Sequence, residues 1–212
     1  MLNYKQDIYP YTQRPTLGTT ILGFKFKGGL ILAADTQIAH GSLIGDDAFN
    51  KIKFISDNVA LCCAGDASCA DATVDYINHY LRMYQAEVKE LPPVETCAKC
   101  VRKFIFDNRS FLGLSTIVGG YDKLKGFSLY RIFQSGAMTE ENISIGGSGS
   151  TFISGFIDEN WKENMEFEEA KKFAINCVKS AIKRDVQSGG SINLVIFTED
   201  GIRREIVRGN EF

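Results

Sequence analysis

The sequence has 212 residues, 44 % hydrophobic and 24 % charged, which is ordinary globular usage with ample material for a core. Lys plus Arg number 24 and Asp plus Glu 26, a formal net charge of −2. That balance gives no electrostatic footprint for nucleic acid or an anionic membrane, and neither is expected as a partner. No apolar run approaches the roughly 18 residues of a membrane span, and the polar, aromatic start MLNYKQDIYPYTQRPTLG lacks the apolar stretch of a secretory signal.

Strand patterning begins at Thr19. Residues 19–26 alternate toward their end, Gly28-Gly29 turns, and Leu30 to Ala34 returns as an apolar strand. A loop is predicted through Gly41 and Gly45. Lys51 to Ile55 alternates, Asp57-Asn58 turns, and Val59 to Cys63 is again apolar. These four strands are predicted to form one meander of two hairpins. The period then changes: Ala70, Val74, Ile77, Leu81 and Tyr84 mark one face of a helix, and Val94, Cys97, Val101, Phe104 and Ile105 mark another after Pro92-Pro93. Strands are predicted at 115–121, 126–131 and 143–145, helices at 151–158 and 167–182, and two closing strands at 192–197 and 202–207. Pairs of helices segregated from antiparallel strands predict an α+β chain, a sheet-on-sheet sandwich with a helical layer on each side. Residues 1–18 stand apart as a leader, and 19–212 read as one domain.

The six cysteines are read as reduced thiols. Cys97 and Cys100 form a CxxC, but the two histidines, His40 and His79, lie outside any ligand spacing with it. The pair is read as small hydrophobes on one helix face, and neither metal nor cofactor is expected. Gly146-Gly-Ser-Gly-Ser150 lacks the ending of a phosphate-binding P-loop, and Gly147-Ser148-Gly149 is not a G-x-S-x-G elbow. With histidine scarce, and His79 on a polar helix run, hydrolysis needs another general base.

The leader boundary supplies one. If the bond between Gly18 and Thr19 were cut, Thr19 would carry both a hydroxyl and an α-amine, a self-contained nucleophile and base. Such an amine has a pKa of roughly 7.7–8.0, which suits proton transfer near neutral pH. The plainer reading of Thr19-Thr20 is a β-branched strand start. Asp35 ends an apolar strand, where a carboxylate requires a partner. Lys51 opens the third strand, and a lysine beside that carboxylate would favour deprotonation of the Thr19 hydroxyl. The plainer reading of Lys51 is a solvated strand-edge lysine.

In order along the chain stand Thr19-Thr-Ile-Leu-Gly-Phe, Gly29-Leu-Ile-Leu-Ala-Ala-Asp35, Asn50-Lys51-Ile, Ala64-Gly65-Asp-Ala, Gly147-Ser148-Gly149, Arg184-Asp185 and Ser188-Gly-Gly. Together they resemble a catalytic β subunit of the 20S proteasome, over essentially the whole chain from Thr19. The resemblance implies the αββα sandwich of N-terminal-nucleophile hydrolases and a threonine-type endopeptidase. By the same resemblance, self-cleavage between Gly18 and Thr19 frees Thr19 as nucleophile, and Asp35 and Lys51 form the charged pair beside it. Ser148, Asp185 and Ser188 would hydrogen-bond around the threonine amine, and the Gly65 N–H would bind the oxyanion. The implied partners are the other β subunits of a seven-membered ring, the α rings, the opposite β ring and an unfolded, ubiquitin-tagged polypeptide. The implied location is cytoplasm and nucleus. The alternative is a structural β subunit that keeps its leader; the intact set of site residues weighs against it.

Residues 145–158 and 188–193 look most like the caspase-like, type 1 subunit of eukaryotes, which cuts after acidic residues because an Arg lies in its pocket. Ungapped alignment at Gly65 puts Cys63 where that Arg should be. Lys53 shares a strand face with Lys51 and stands at a pocket position, as a substitute cation. Ile38, Phe49 and Ala67 fall at other pocket positions and would make an apolar, constricted wall. A post-acidic and a small-apolar preference both remain open.

Overall fold

The computed structural model describes residues 18–40 and 43–209; residues 1–17 of the expected leader and Gly41 of the expected loop lie outside the described residues. The chain begins with β1 (Ile21–Phe26), β2 (Gly29–Asp35), β3 (Ile38–His40), β4 (Leu43–Asp46), β5 (Ile52–Ser56) and β6 (Val59–Gly65). Helices α1 (Ala67–Val88) and α2 (Val94–Asp107) follow, then β7 (Leu114–Asp122), β8 (Gly126–Ile132), β9 (Met138–Glu140) and β10 (Ile143–Gly146). The chain closes with α3 (Ser150–Asn160), α4 (Phe167–Ile182), β11 (Ile192–Thr198) and β12 (Gly201–Val207).

Two antiparallel five-stranded sheets form the centre, one ordered β10-β1-β2-β11-β12 and the other β5-β6-β7-β8-β9. Burial divides into three apolar layers. Leu30, Leu32 and Ala34 of β2 face Ala60, Cys62 and Ile117 of the other sheet, while Ile31 and Ala33 face Ala174 and Val178 of α4. Strand residues alternate between faces, so a strand buried on both faces needs the unbroken apolar run that β2 has. The third layer packs α1 and α2 on the second sheet through Val74, Ile77, Cys97 and Val101. The result is a four-layer αββα sandwich, as the segregated helix pairs predict.

Three features differ from the sequence expectation. The first four long strands are not one meander: β1–β2 belongs to one sheet and β5–β6 to the other. The free edge of β2 is taken by β11, with Ile192 opposite Asp35, a pairing that local patterning cannot reveal. The stretch after Asp35, predicted as loop, contains the small β3–β4 ribbon, with a register shift between Ile38 and Ala39. The three-residue β9 was also not expected from the sequence. Cys97 is buried and Cys100 packs half-buried on the same helical layer, while His79 is exposed.

Local chemistry fixes the helix that later walls the site. Asp66 caps α1, its carboxylate accepting from the Ser68 and Cys69 N–H groups, which satisfies donors that the first turn otherwise leaves unpaired. Among the described residues, no helix is long and apolar enough to cross a membrane.

Candidate active site

Strand register brings the chemistry to one end of the sandwich. Ile21 lies opposite Ala34 and Gly146, and Asp35 lies opposite Ile192. The start of β1, the ends of β2 and β10 and the start of β11 therefore meet. From the second sheet, Ile52 opposite Cys62 adds the start of β5 and the end of β6. Thr19, Asp35, Lys51 and Gly65 sit at these strand ends, and the loops after β10 and α4 carry Ser148, Asp185 and Ser188.

Asp35 is fully buried and fully partnered. Its Oδ1 accepts from the Thr20 N–H at 2.8 Å and from Lys51 Nζ at 2.7 Å; its Oδ2 accepts from the N–H groups of Gly189 at 3.0 Å and Gln37 at 3.2 Å. Lys51, only 4 % exposed, also donates to the Gly18 carbonyl oxygen at 3.1 Å. The Thr19 hydroxyl donates to that same oxygen at 2.6 Å. Hydroxyl and ammonium thus converge on the carbonyl of the Gly18–Thr19 bond. Burial pushes Asp35 up and Lys51 down from their ordinary pKa values, and each charge holds the other against that shift.

A second network reaches the Thr19 nitrogen. Its N–H donates to Ser148 Oγ at 3.1 Å, and Ser148 Oγ donates to Asp185 Oδ2 at 2.6 Å. Ser188 Oγ donates to the same Asp185 oxygen at 2.8 Å and lies 2.8 Å from Thr20 Oγ1. Two glycines let this loop close. Gly147 has φ +83° and a Cβ there would stand 2.0 Å from the Thr19 carbonyl oxygen; a Cβ on Gly149 would stand 1.9 Å from Thr20 Oγ1. No other residue fits at either point.

Sequence reasoning missed Thr20 and Gln37. Thr20 reads as a strand former, yet its hydroxyl completes the Ser188 contact. Gln37 ties the site to the loop after α4 through Nε2 donating to the Val186 carbonyl at 3.2 Å. Neither carries a signal in spacing or composition.

Beside Thr19 opens a narrow pocket. Every position assigned to it in advance lines it: Ile38, Phe49, Lys53, Cys63 and Ala67, together with Lys51 and Gly65. A buried nucleophile-and-cation constellation beside a pocket can perform acyl transfer. Among the described residues, no three His, Cys, Asp or Glu side chains gather as a metal site.

Residues 16–197 match the family described as "Proteasome subunit". The chain belongs to the proteasome subunit family. It is 38 % identical over 189 residues to "Probable proteasome subunit beta type-1" of Schizosaccharomyces pombe, covering 89 % of this chain and 84 % of that one. It is 35 % identical over 196 residues to "Proteasome subunit beta type-6" of Arabidopsis thaliana, covering 92 % and 84 %. It is 34 % identical over 197 residues to "Proteasome subunit beta type-1" of Saccharomyces cerevisiae, covering 93 % and 91 %.

In this proteasome subunit the pocket carries charges that no single motif announces. The Lys53 ammonium is ion-paired with Asp71 and lies 4.7 Å from the centre of the Phe49 ring. The Cys63 thiol is pushed up to about 12 by burial, so it stays neutral and supplies no charge in place of an arginine. Asp71 falls one helical turn after Ala67 on α1, a relation visible in the sequence only once Ala67 is placed in the pocket.

Proposed function

We propose that this chain is a threonine endopeptidase of the proteasome core, with Thr19 as nucleophile after the Gly18–Thr19 bond is cut. The observation that carries this reading is the convergence of the Thr19 hydroxyl and the Lys51 ammonium on one carbonyl oxygen. The Asp35 carboxylate that anchors the lysine has every oxygen partnered, so the cation is held rather than free to swing away.

In self-cleavage the hydroxyl attacks the Gly18 carbonyl, whose oxygen Lys51 already polarises. The amide nitrogen leaves, and the resulting ester is released by water. The freed Thr19 amine then remains in the Ser148–Asp185–Ser188 network, which holds it beside its own hydroxyl. With a pKa of roughly 7.7–8.0 it takes the hydroxyl proton as a substrate carbonyl is attacked. Lys51 favours the developing alkoxide through its charge, and the Gly65 N–H receives the oxyanion; such a donor contributes roughly 3–4 kcal/mol. The amine gives its proton to the leaving amide and then activates the water that hydrolyses the acyl-threonine.

Likeness to beta type-1 and type-6 relatives supports a place in a ring of seven β subunits, against the α rings and the opposite β ring, acting on unfolded, ubiquitin-tagged chains in cytoplasm and nucleus. The retained Thr19, Asp35, Lys51, Asp185 and Ser188 favour this over a structural subunit that keeps its leader. Whether cleavage follows acidic residues, as the type 1 likeness implies, depends on Lys53. The test is to treat the assembled particle with a peptidyl electrophile and map the adduct by mass spectrometry. Modification at Thr19 is expected; an active particle with this chain unmodified would retire the reading.

A further inference from the structure

We propose that Asp71 sets the side-chain preference of this pocket: it occupies the Lys53 ammonium, disfavours an acidic residue before the scissile bond, and leaves room for a small uncharged one. The inference rests on the threonine endopeptidase reading above and goes on to name its substrate class.

Lys51 and Lys53 both line the pocket, but Lys51 is committed to Asp35. An incoming carboxylate therefore has Lys53 as its partner. Alternation along β5 turns Lys53 to the same face as Lys51, toward α1. There the helix turn that walls the pocket with Ala67 carries Asp71 four residues on, on the same helical face. The two side chains form an ion pair, 22 % and 49 % exposed, and the Phe49 ring beneath the ammonium holds it in that place. Cys63 lines the pocket beside Lys53, and its thiol feels both charges, Lys53 lowering and Asp71 raising its pKa.

A substrate carboxylate reaching Lys53 has to displace Asp71 or lie beside it, two like charges sharing one ammonium. Displacement leaves Asp71 half in water, so the barrier is modest rather than absolute. Size acts in the same direction. The cavity beside Thr19 is about 20 Å³, room for about one water, bounded by Ile38, Phe49 and Cys63.

The experiment uses the assembled particle with its other β sites blocked, and tetrapeptide substrates differing only in Ala, Leu or Glu before the cut. Wild type is expected to favour Ala over Glu. Asp71→Asn, nearly isosteric but neutral, is expected to raise kcat/KM for Glu relative to Ala about tenfold, chiefly through KM; Asp71→Ser should act in the same direction. Adding Lys53→Met to Asp71→Asn should erase the gain. A wild type that already prefers Glu, a ratio unmoved in both Asp71 variants, or a gain that survives Lys53→Met would each overturn the assignment. If wild type cleaves the peptides but the ratio stays fixed, only the role of Asp71 falls. If it cleaves none and Thr19 takes no adduct, the peptidase reading falls with it.

Discussion

Thr19→Ala is expected to abolish peptide hydrolysis by this subunit and, with it, removal of the leader. Both follow from one atom. The hydroxyl that meets the Gly18 carbonyl at 2.6 Å is the group proposed to attack substrate once the chain is cut, and alanine has no oxygen to offer. Removing the nucleophile of a hydrolase costs on the order of 10⁴-fold or more in kcat. The fold should survive, because the site is built by Asp35, Lys51 and the Ser148 loop, and the Thr19 N–H still reaches Ser148. The checks are turnover of a fluorogenic peptide and the mass of the subunit, in a particle whose neighbouring β sites are also silenced. A variant that still trims its own leader would separate the two reactions and refute a shared nucleophile.

Lys51→Ala should lower turnover by roughly 10²–10³-fold, the scale seen when one preorganised transition-state partner is removed. It also leaves Asp35 buried without its cation, and breaking a buried pair on one side costs about 3–5 kcal/mol. Without the lysine charge, burial raises the Asp35 pKa further. A protonated Asp35 then accepts more weakly from the Thr20 and Gly189 N–H groups. Lys51→Arg is expected to fail as well. At 4 % exposure the site holds a compact ammonium that touches Asp35 and the Gly18 carbonyl together, and a planar guanidinium does not fit that geometry. Near-normal kcat in the arginine variant would make Lys51 a purely structural cation.

The layers and the helices were legible because their periods are strong. Ala70, Val74, Ile77 and Leu81 give a 3.6-residue face, and Leu30 to Ala34 gives a strand buried on both sides. What the sequence hid was pairing at a distance. Nothing near β2 reveals that its second edge waits for β11, more than 150 residues later, so two hairpins of different sheets read as one meander. The site shows the same division. Asp35 stands out because a carboxylate ends an apolar strand, and the structure gives it a partner on every lone pair it presents. Thr20 and Gln37 were invisible because their part depends on which loops fold against them. Lys53 was legible as a pocket position through the family resemblance, with strand alternation putting it on the face of Lys51. Its charge partner was not, because Asp71 lies on a helix whose rotation is set by the apolar residues beneath it.

The most direct test of the central claim is the amino terminus of this chain within the assembled particle, read by intact mass and N-terminal peptide sequencing. Cleavage between Gly18 and Thr19, leaving threonine with a free amine, is the expected result. An intact Gly18–Thr19 bond in particles that are fully assembled and otherwise active would contradict it.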